Sequence, residues 1–167
     1  MTKPTNTVVV AALGFMLISV SAIAEKTDCS NSRKSKQEIS NQIIEPGDRP
    51  DHRMRQYVRL DVVSSKHPDW DGAESIVYGH TDTIGGSGTH RGYVVTTLTT
   101  GEKVWARWEG TEYLVPKGGD TWEVAFQGIF RFIAGTGKYK AIRGGGYYRG
   151  MATPDGLTQD AVCDAEY

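Results

Sequence analysis

The chain has 167 residues, with 19 lysines and arginines against 20 aspartates and glutamates and a formal net charge of −1. Apart from the patch at residues 33–36, no run of basic residues is present, which argues against a nucleic-acid partner. A chain of this length suits a single domain with one core.

Residues 1–24 are predicted to be a secretory signal peptide. Lys3 supplies the positive charge, residues 8–23 are mostly apolar, and residues 22–24 (AIA) match the small-x-small cleavage pattern. A membrane anchor is the alternative, but the apolar run is short for a span and the chain turns polar at Glu25. We therefore expect a secreted or periplasmic protein that does not stay inserted in a membrane after cleavage.

Two cysteines, Cys29 and Cys163, lie near the two ends of the exported chain. An even pair in an exported protein predicts a disulfide bond, and closing so long a loop corresponds to roughly 4–5 kcal/mol in chain-entropy models. Two independent free thiols are the alternative. Neither cysteine has a histidine nearby in sequence, and the four histidines lack the spacing of metal ligands, so no metal site is predicted.

Residues 25–53 are polar and irregular, with Pro46, Gly47 and Pro50 near their end. Such a segment has few apolar side chains to bury, and we interpret it as a flexible polar N-terminal leader. Its expected role is to tether or space the domain that follows, with Cys29 as its attachment point.

Residues 54–167 are predicted to form a single all-β domain. Strand-like segments at residues 57–62, 74–82, 92–99 and 103–111 alternate or are rich in β-branched residues, and glycine, proline and aspartate turns separate them. Fifteen glycines between residues 85 and 150 favour a sharply bent sheet, because glycines mark bends and bulges where a barrel turns. We expect a closed antiparallel β-barrel of about eight strands.

The hairpin at residues 121–150 is the clearest element of this domain. Its first half alternates, with Trp122, Val124, Phe126, Phe130 and Phe132 on one face of the strand. A glycine turn at residues 135–137 follows, and a glycine-rich return strand completes the hairpin. A hairpin this apolar needs further strands to cover it.

The same segment resembles the allene oxide cyclase and dirigent superfamily. Residues 132–144 (FIAGTGKYKAIRG) are similar to the Gly-Thr-Gly-Lys-aromatic and Arg-Gly hairpin of that superfamily, and residues 128–130 and 146–150 fit the same pattern. The resemblance implies an eight-stranded antiparallel barrel, often oligomeric, with a pocket inside. Family members bind hydrophobic or phenolic molecules and guide cyclisation or radical coupling without a metal or organic cofactor.

Polar side chains that share a strand face form the strongest set of candidates for chemistry. If that face lines the barrel, acids and bases would meet in a partly dry cavity where pKa values shift. The predicted catalytic residues are His80, Arg107, Glu109 and Glu123, and the predicted ligand-binding residues are Arg59, Tyr78, Trp105, Gln127 and Arg131. Two alternatives remain open: the polar face meets water while the aromatic face forms the core, or the polar face is a structural ion network. His90, after a glycine loop, is a further candidate for a barrel mouth.

The sequence thus predicts an exported barrel that binds a small hydrophobic or aromatic molecule, with cofactor-free isomerisation, cyclisation or dirigent-like coupling as the expected chemistry. The alternative is a non-catalytic envelope barrel that serves assembly or protein contacts. A carrier or enzyme is expected to enclose about 300 Å³ or more with converging polar groups. An assembly protein would fill its barrel and expose an apolar patch.

Overall fold

The computed structural model describes residues 26–117 and 121–167, so the predicted signal peptide lies outside the described residues. The described chain is almost entirely β-structure, as predicted. Its strands are β1 (Lys26–Asp28), β2 (Asn31–Ile44), β3 (His52–Ser65), β4 (Glu74–Ile84), β5 (Ser87–Thr97), β6 (Lys103–Pro116), β7 (Trp122–Gly135), β8 (Arg143–Thr153) and β9 (Gly156–Glu166). One turn of 3₁₀-helix, Gly137–Tyr139, separates β7 from β8.

Eight strands, β2 to β9, close into an antiparallel barrel. Each strand from β2 to β9 pairs with the next along the chain, and β9 pairs in addition with β2, which joins the two ends of the sheet. The short strand β1 lies beside β9 where β2 no longer covers it, with Lys26 opposite Glu166. The prediction of a closed barrel of about eight strands is confirmed.

The expected leader at residues 25–53 is not a leader in the structure, because β2 is a full barrel strand. β2 pairs with β3 along its whole length, from Asn31 opposite Ser65 to Ile44 opposite Met54, and it closes the barrel against β9. Its side chains are mostly polar and carry no apolar alternation. Backbone hydrogen bonds to both neighbours hold it in place, and these leave no signature in a hydrophobicity pattern.

One end of the barrel is packed solid. A cluster that we call the closed-end cluster fills it, and it comprises Cys29, Val63, Trp70, Ala73, Leu98, Val104, Tyr139, Ile142, Cys163 and Ala165. The loop between β3 and β4 supplies Trp70, whose ring centroid lies 5.8 Å from that of Phe132 and 6.4 Å from that of Tyr139. The 3₁₀ turn supplies Tyr139, which is fully buried. Two loop rings therefore plug the barrel at the end where β3 stops and β4 starts.

The predicted disulfide is present within the closed-end cluster. Cys29 and Cys163 are bonded, with their Cα atoms 5.0 Å apart. The bond attaches the segment between β1 and β2 to β9, across the seam where the barrel closes. A disulfide of this kind indicates an oxidising environment.

Candidate ligand cavity in the barrel interior

The other half of the interior contains a cavity of about 160 Å³. Most members of a second group of buried residues line it. This cavity-side cluster comprises Val77, Val94, Ala106, Trp108, Phe126, Tyr148 and Ala161. The aromatic part of the cavity lining consists of Tyr57, Trp108, Trp122, Phe126, Phe130 and Tyr148. Its charged or titratable part consists of Arg33, Arg55, Arg59, Asp61, His90 and Glu112. The cavity is thus an aromatic chamber with polar groups set into its wall.

His90 on β5 lies at the centre of the aromatic wall. Its ring centroid is 5.4 Å from that of Trp108, 6.0 Å from that of Phe126 and 5.8 Å from that of Tyr148. The side chain is buried, and all three neighbours come from strands that follow it in the barrel. Packing on this scale fixes the orientation of the imidazole ring.

A hydrogen-bonded chain runs through that imidazole from a carboxylate to a phenol. His90 Nδ1 lies 3.3 Å from Glu112 Oε2, and His90 Nε2 lies 2.8 Å from the Tyr148 hydroxyl oxygen. Because the ionised carboxylate only accepts, the neutral ring donates from Nδ1 to Glu112 and accepts at Nε2 from Tyr148. Burial raises the pKa of Tyr148, and the negative charges of Glu109 and Glu112 raise it further, so its hydroxyl stays protonated and donates.

Two glycines make room for this chain. A Cβ atom on Gly110 would lie 2.5 Å from His90 Nε2, and one on Gly128 would lie 2.3 Å from the Tyr148 hydroxyl oxygen. Any larger residue at either position would displace His90 or Tyr148 and disrupt their hydrogen bond, because such contacts are far below van der Waals distance. Part of the glycine content that favours a barrel therefore serves to seat interior side chains.

A bidentate ion pair forms the wall of the cavity on β3. Arg59 donates to both oxygens of Asp61, at 2.6 Å from Nε and 2.9 Å from Nη2. Burial lowers the pKa of the Arg59 guanidinium, but the hydrogen bonds and charge of Asp61 outweigh that effect and hold the pKa above its usual value. With Arg59 at 12% and Asp61 at 1% side-chain exposure, the pair is shielded from bulk water.

Of the predicted site residues, only Arg59 lines the cavity. The others point away from it, on the outer face of their strands: Tyr78, His80, Trp105, Arg107, Glu109, Glu123, Gln127 and Arg131. The Arg107–Glu109 ion pair is long, at 3.8 Å, and half exposed, and Glu123 pairs with Lys117 at 2.9 Å. The polar face of these strands therefore lies outside the barrel, as in one of the two alternatives that the sequence left open. The aromatic face lies inside, where its rings line the cavity.

Sequence reasoning missed Arg33, Glu112 and Tyr148, and it named His90 as a candidate for a barrel mouth, whereas the structure places His90 in the buried wall of the cavity. A usable signal was present for two of them. Glu112 shares strand parity with Val104, Ala106 and Trp108, so it is a polar residue on an apolar face. Tyr148 stands among small residues in a glycine-rich strand. Arg33 carried no such signal, because β2 has no apolar face.

These features define a closed antiparallel barrel with an aromatic chamber and a buried Glu–His–Tyr chain. No protein-family model matches the sequence, and no curated protein matches it either. Residues 26–117 and 121–167 contain no group of three or more histidine, cysteine, aspartate or glutamate side chains arranged to hold a metal ion. Within the same ranges, no helix has the length and apolar character needed to cross a membrane.

Proposed function

We propose that this protein is an exported barrel that binds a small aromatic molecule in its interior chamber. The observation that carries the proposal is the chamber itself, because it combines an aromatic wall with hydrogen-bonding groups at defined positions. Pockets of that composition are typical of small-molecule sites. The disulfide supports the exported location, since it needs an oxidising compartment to form and persist.

The size of the chamber limits the ligand. At about 160 Å³ it falls below the 300 Å³ or more that is typical of pockets for drug-sized molecules. It is close to a cavity of about 150 Å³ that accepts benzene in another protein core. A ligand with a single ring fits this space, whereas a long-chain or multi-ring ligand would need the barrel to open.

Any acid–base chemistry on that ligand would use the chain of Glu112, His90 and Tyr148. Glu112 orients the imidazole, and His90 Nε2 holds the hydroxyl of Tyr148, a residue that lines the chamber and through which a proton would pass between a ligand and the imidazole. This arrangement supports a cofactor-free isomerase or cyclase reaction, or guidance of a coupling reaction. It is also what the resemblance to the allene oxide cyclase and dirigent superfamily implies, and kinship with that superfamily is part of the proposal.

The proposal is tested by blocking the chamber. Val94 lines it and is buried, whereas its neighbour Val95 points to the outer face of β5. We expect the wild-type protein to bind benzyl alcohol in a calorimetric titration, Val94→Phe to lose that binding, and Val95→Phe to retain it. Native mass spectrometry of protein from its own host is expected to show a retained molecule of single-ring mass.

Two results would contradict the proposal. One is a wild-type protein that binds no single-ring aromatic probe. The other is a Val94→Phe variant that melts cooperatively and binds benzyl alcohol as the wild type does. Thermal melts of both variants accompany the titration, because overpacking a core costs about 1–3 kcal/mol.

A second function, assembly or protein contact, is favoured by the outer face of the barrel. Tyr78 pairs with Tyr93, and Ile129 with Tyr147 and through it with Val162, so apolar side chains lie side by side on neighbouring strands. Each of them is between 48% and 57% exposed. Exposed apolar side chains that adjoin one another mark interaction surfaces. Sedimentation of the full chain distinguishes the cases, since this function requires an oligomer or a bound partner protein.

A further inference from the structure

Arg33 brings a guanidinium into the chamber that has no carboxylate partner at ion-pair distance within the described residues. It is an inward-facing residue of β2 and lines the cavity. Its only side-chain hydrogen bond within residues 26–117 and 121–167 runs from Nε to Asn31 Oδ1, at 3.2 Å, and Asn31 is neutral. No ion pair to Arg33 is formed in these ranges. The two terminal nitrogens of the guanidinium are therefore left for another acceptor.

The nearest carboxylate in the chamber wall is already engaged. Both oxygens of Asp61 accept hydrogen bonds from Arg59. Burial lowers the pKa of Arg33 to about 10; the charge of Asp61 offsets this only in part, and the charge of Arg59 adds to the lowering. Arginine stays charged at that pKa, so the chamber holds a guanidinium that has no carboxylate at ion-pair distance within the described residues. Such a charge is costly away from water unless an anion accompanies it.

The other carboxylates near the chamber contact residues other than Arg33. Glu112 lies within hydrogen-bond distance of His90, and Glu38 of β2, which does not line the cavity, pairs with Arg55. Gln159 of β9 lies directly opposite Arg33 in the strand register and also lines the cavity. Its side-chain amide forms no hydrogen bond within the described part of the chain, which leaves a second donor beside the guanidinium.

We propose that the molecule bound in the chamber is a small aromatic carboxylate, with its carboxylate on Arg33 and Gln159 and its ring against Trp108 and Tyr148. The proposal rests on the proposed function and adds the charge of the ligand to it. The planar guanidinium fork matches a planar carboxylate and can donate two parallel hydrogen bonds to it. Arg33 is a single guanidinium without an ion-pair partner in the described residues, which suits the one carboxylate group of a monoanion.

The strand register places Arg33 and Tyr148 at a separation that a small aromatic carboxylate can span. Arg33 is opposite Gln159, and Tyr148 is opposite Ala161, two residues further along the same strand and on the same face. Neighbouring strands lie about 4.8 Å apart, so the two side chains enter the chamber from positions separated by about two strands. One ring carrying one carboxyl group spans such a gap.

The experiment compares two ligands of nearly the same shape, benzoate and benzamide, by calorimetric titration at pH 7. The wild-type protein is expected to bind benzoate roughly ten to a hundred times more tightly, the usual effect of a hydrogen bond to a charged group. Arg33→Gln is expected to lose that preference and keep its affinity for benzamide. Lys34→Gln is the matched control, because it removes a neighbouring positive charge from the exposed face of the same strand, and it should keep the preference.

The outcomes separate this proposal from the proposed function. Equal affinity for the two ligands, or a preference for benzamide, overturns the proposal that the ligand is a carboxylate. The proposal that the chamber binds an aromatic molecule would still stand. Failure of both ligands to bind overturns both proposals. An Arg33→Gln variant that still prefers benzoate assigns the preference to another cation and overturns the role of Arg33. Arg33→Lys, which keeps the charge, should retain part of the preference if Arg33→Gln proves unable to fold.

Discussion

The two halves of the barrel interior are built by the same strands but are filled in opposite ways. At the closed end, loop residues such as Trp70 and Tyr139 supply rings that pack among aliphatic side chains and the disulfide. At the cavity end, strand residues supply the rings, and charged groups such as Arg33 and Glu112 lie in the wall of the cavity beside them. Under the proposed function, stability is concentrated at one end and ligand binding at the other. Buried charges are costly, so they persist where a ligand or partner group offsets them.

Removal of the largest ring at the closed end should have the largest effect on stability. Trp70 is 1% exposed, and Trp70→Ala is expected to lower the free energy of unfolding by about 3–5 kcal/mol, because it leaves a cavity that the surrounding strands cannot fill. The preference for benzoate over benzamide should not change. Chemical denaturation and the ligand titration measure the two quantities. Trp105→Ala, on the outer face of β6, is the control and should cost clearly less.

A Trp70→Ala variant that stays folded but no longer distinguishes benzoate from benzamide would show that the two ends of the barrel are coupled. The separation of stability at one end from binding at the other would then be wrong. A loss of stability similar to that of Trp105→Ala would instead show that the plug contributes little.

A methyl group placed behind the Glu–His–Tyr chain should affect both stability and binding. In Gly128→Ala, the new Cβ would lie 2.2 Å from the Glu109 carbonyl oxygen and 2.3 Å from the Tyr148 hydroxyl. We expect a loss of about 1–3 kcal/mol in the free energy of unfolding, together with weaker binding of benzyl alcohol, because Tyr148 must move into the chamber. Gln127→Ala, one residue away on the exposed outer face, should change neither. Unchanged binding in Gly128→Ala would remove Tyr148 from the site.

The smallest expected effect is the pH response of the closed end. The Asp69 carboxylate accepts hydrogen bonds from Lys138 Nζ at 2.6 Å and from the Tyr139 hydroxyl at 2.5 Å, and these hold its pKa below the usual value of 3.8. A carboxyl group with a lowered pKa in the folded state stabilises the fold at pH values above its unfolded pKa. That contribution disappears as the pH falls through the folded value.

The difference in melting temperature between the wild type and Asp69→Asn should therefore be full at pH 6 and shrink below about pH 4. Thermal melts across this range measure it. Asp155→Asn, in the exposed turn between β8 and β9, should show no such pH-dependent difference. A difference in melting temperature between wild type and Asp69→Asn that stays constant down to pH 2 would contradict this. It would mean that the Asp69–Lys138 ion pair does not cause the pH dependence.

Much of the framework was predictable from local pattern. Alternation along residues 122–132, turn residues between segments and the abundance of glycine indicate an antiparallel barrel, and the structure confirms it. The two cysteines in a chain with a predicted export signal indicate a disulfide, which is present. These features depend on a period of two along each strand and on turn chemistry, both of which are local properties of the chain.

The composition of the site was not predictable in the same way. Alternation shows that a strand has two faces, but it does not say which face a closed barrel encloses, and the predicted polar residues proved to lie outside. The strand that carries Arg33 has no hydrophobic pattern from which its place could be predicted. Backbone hydrogen bonds to β3 and β9 place it in the barrel. Arg33, Gln159 and the aromatic rings line one cavity only because the fold brings together residues that are far apart in the chain.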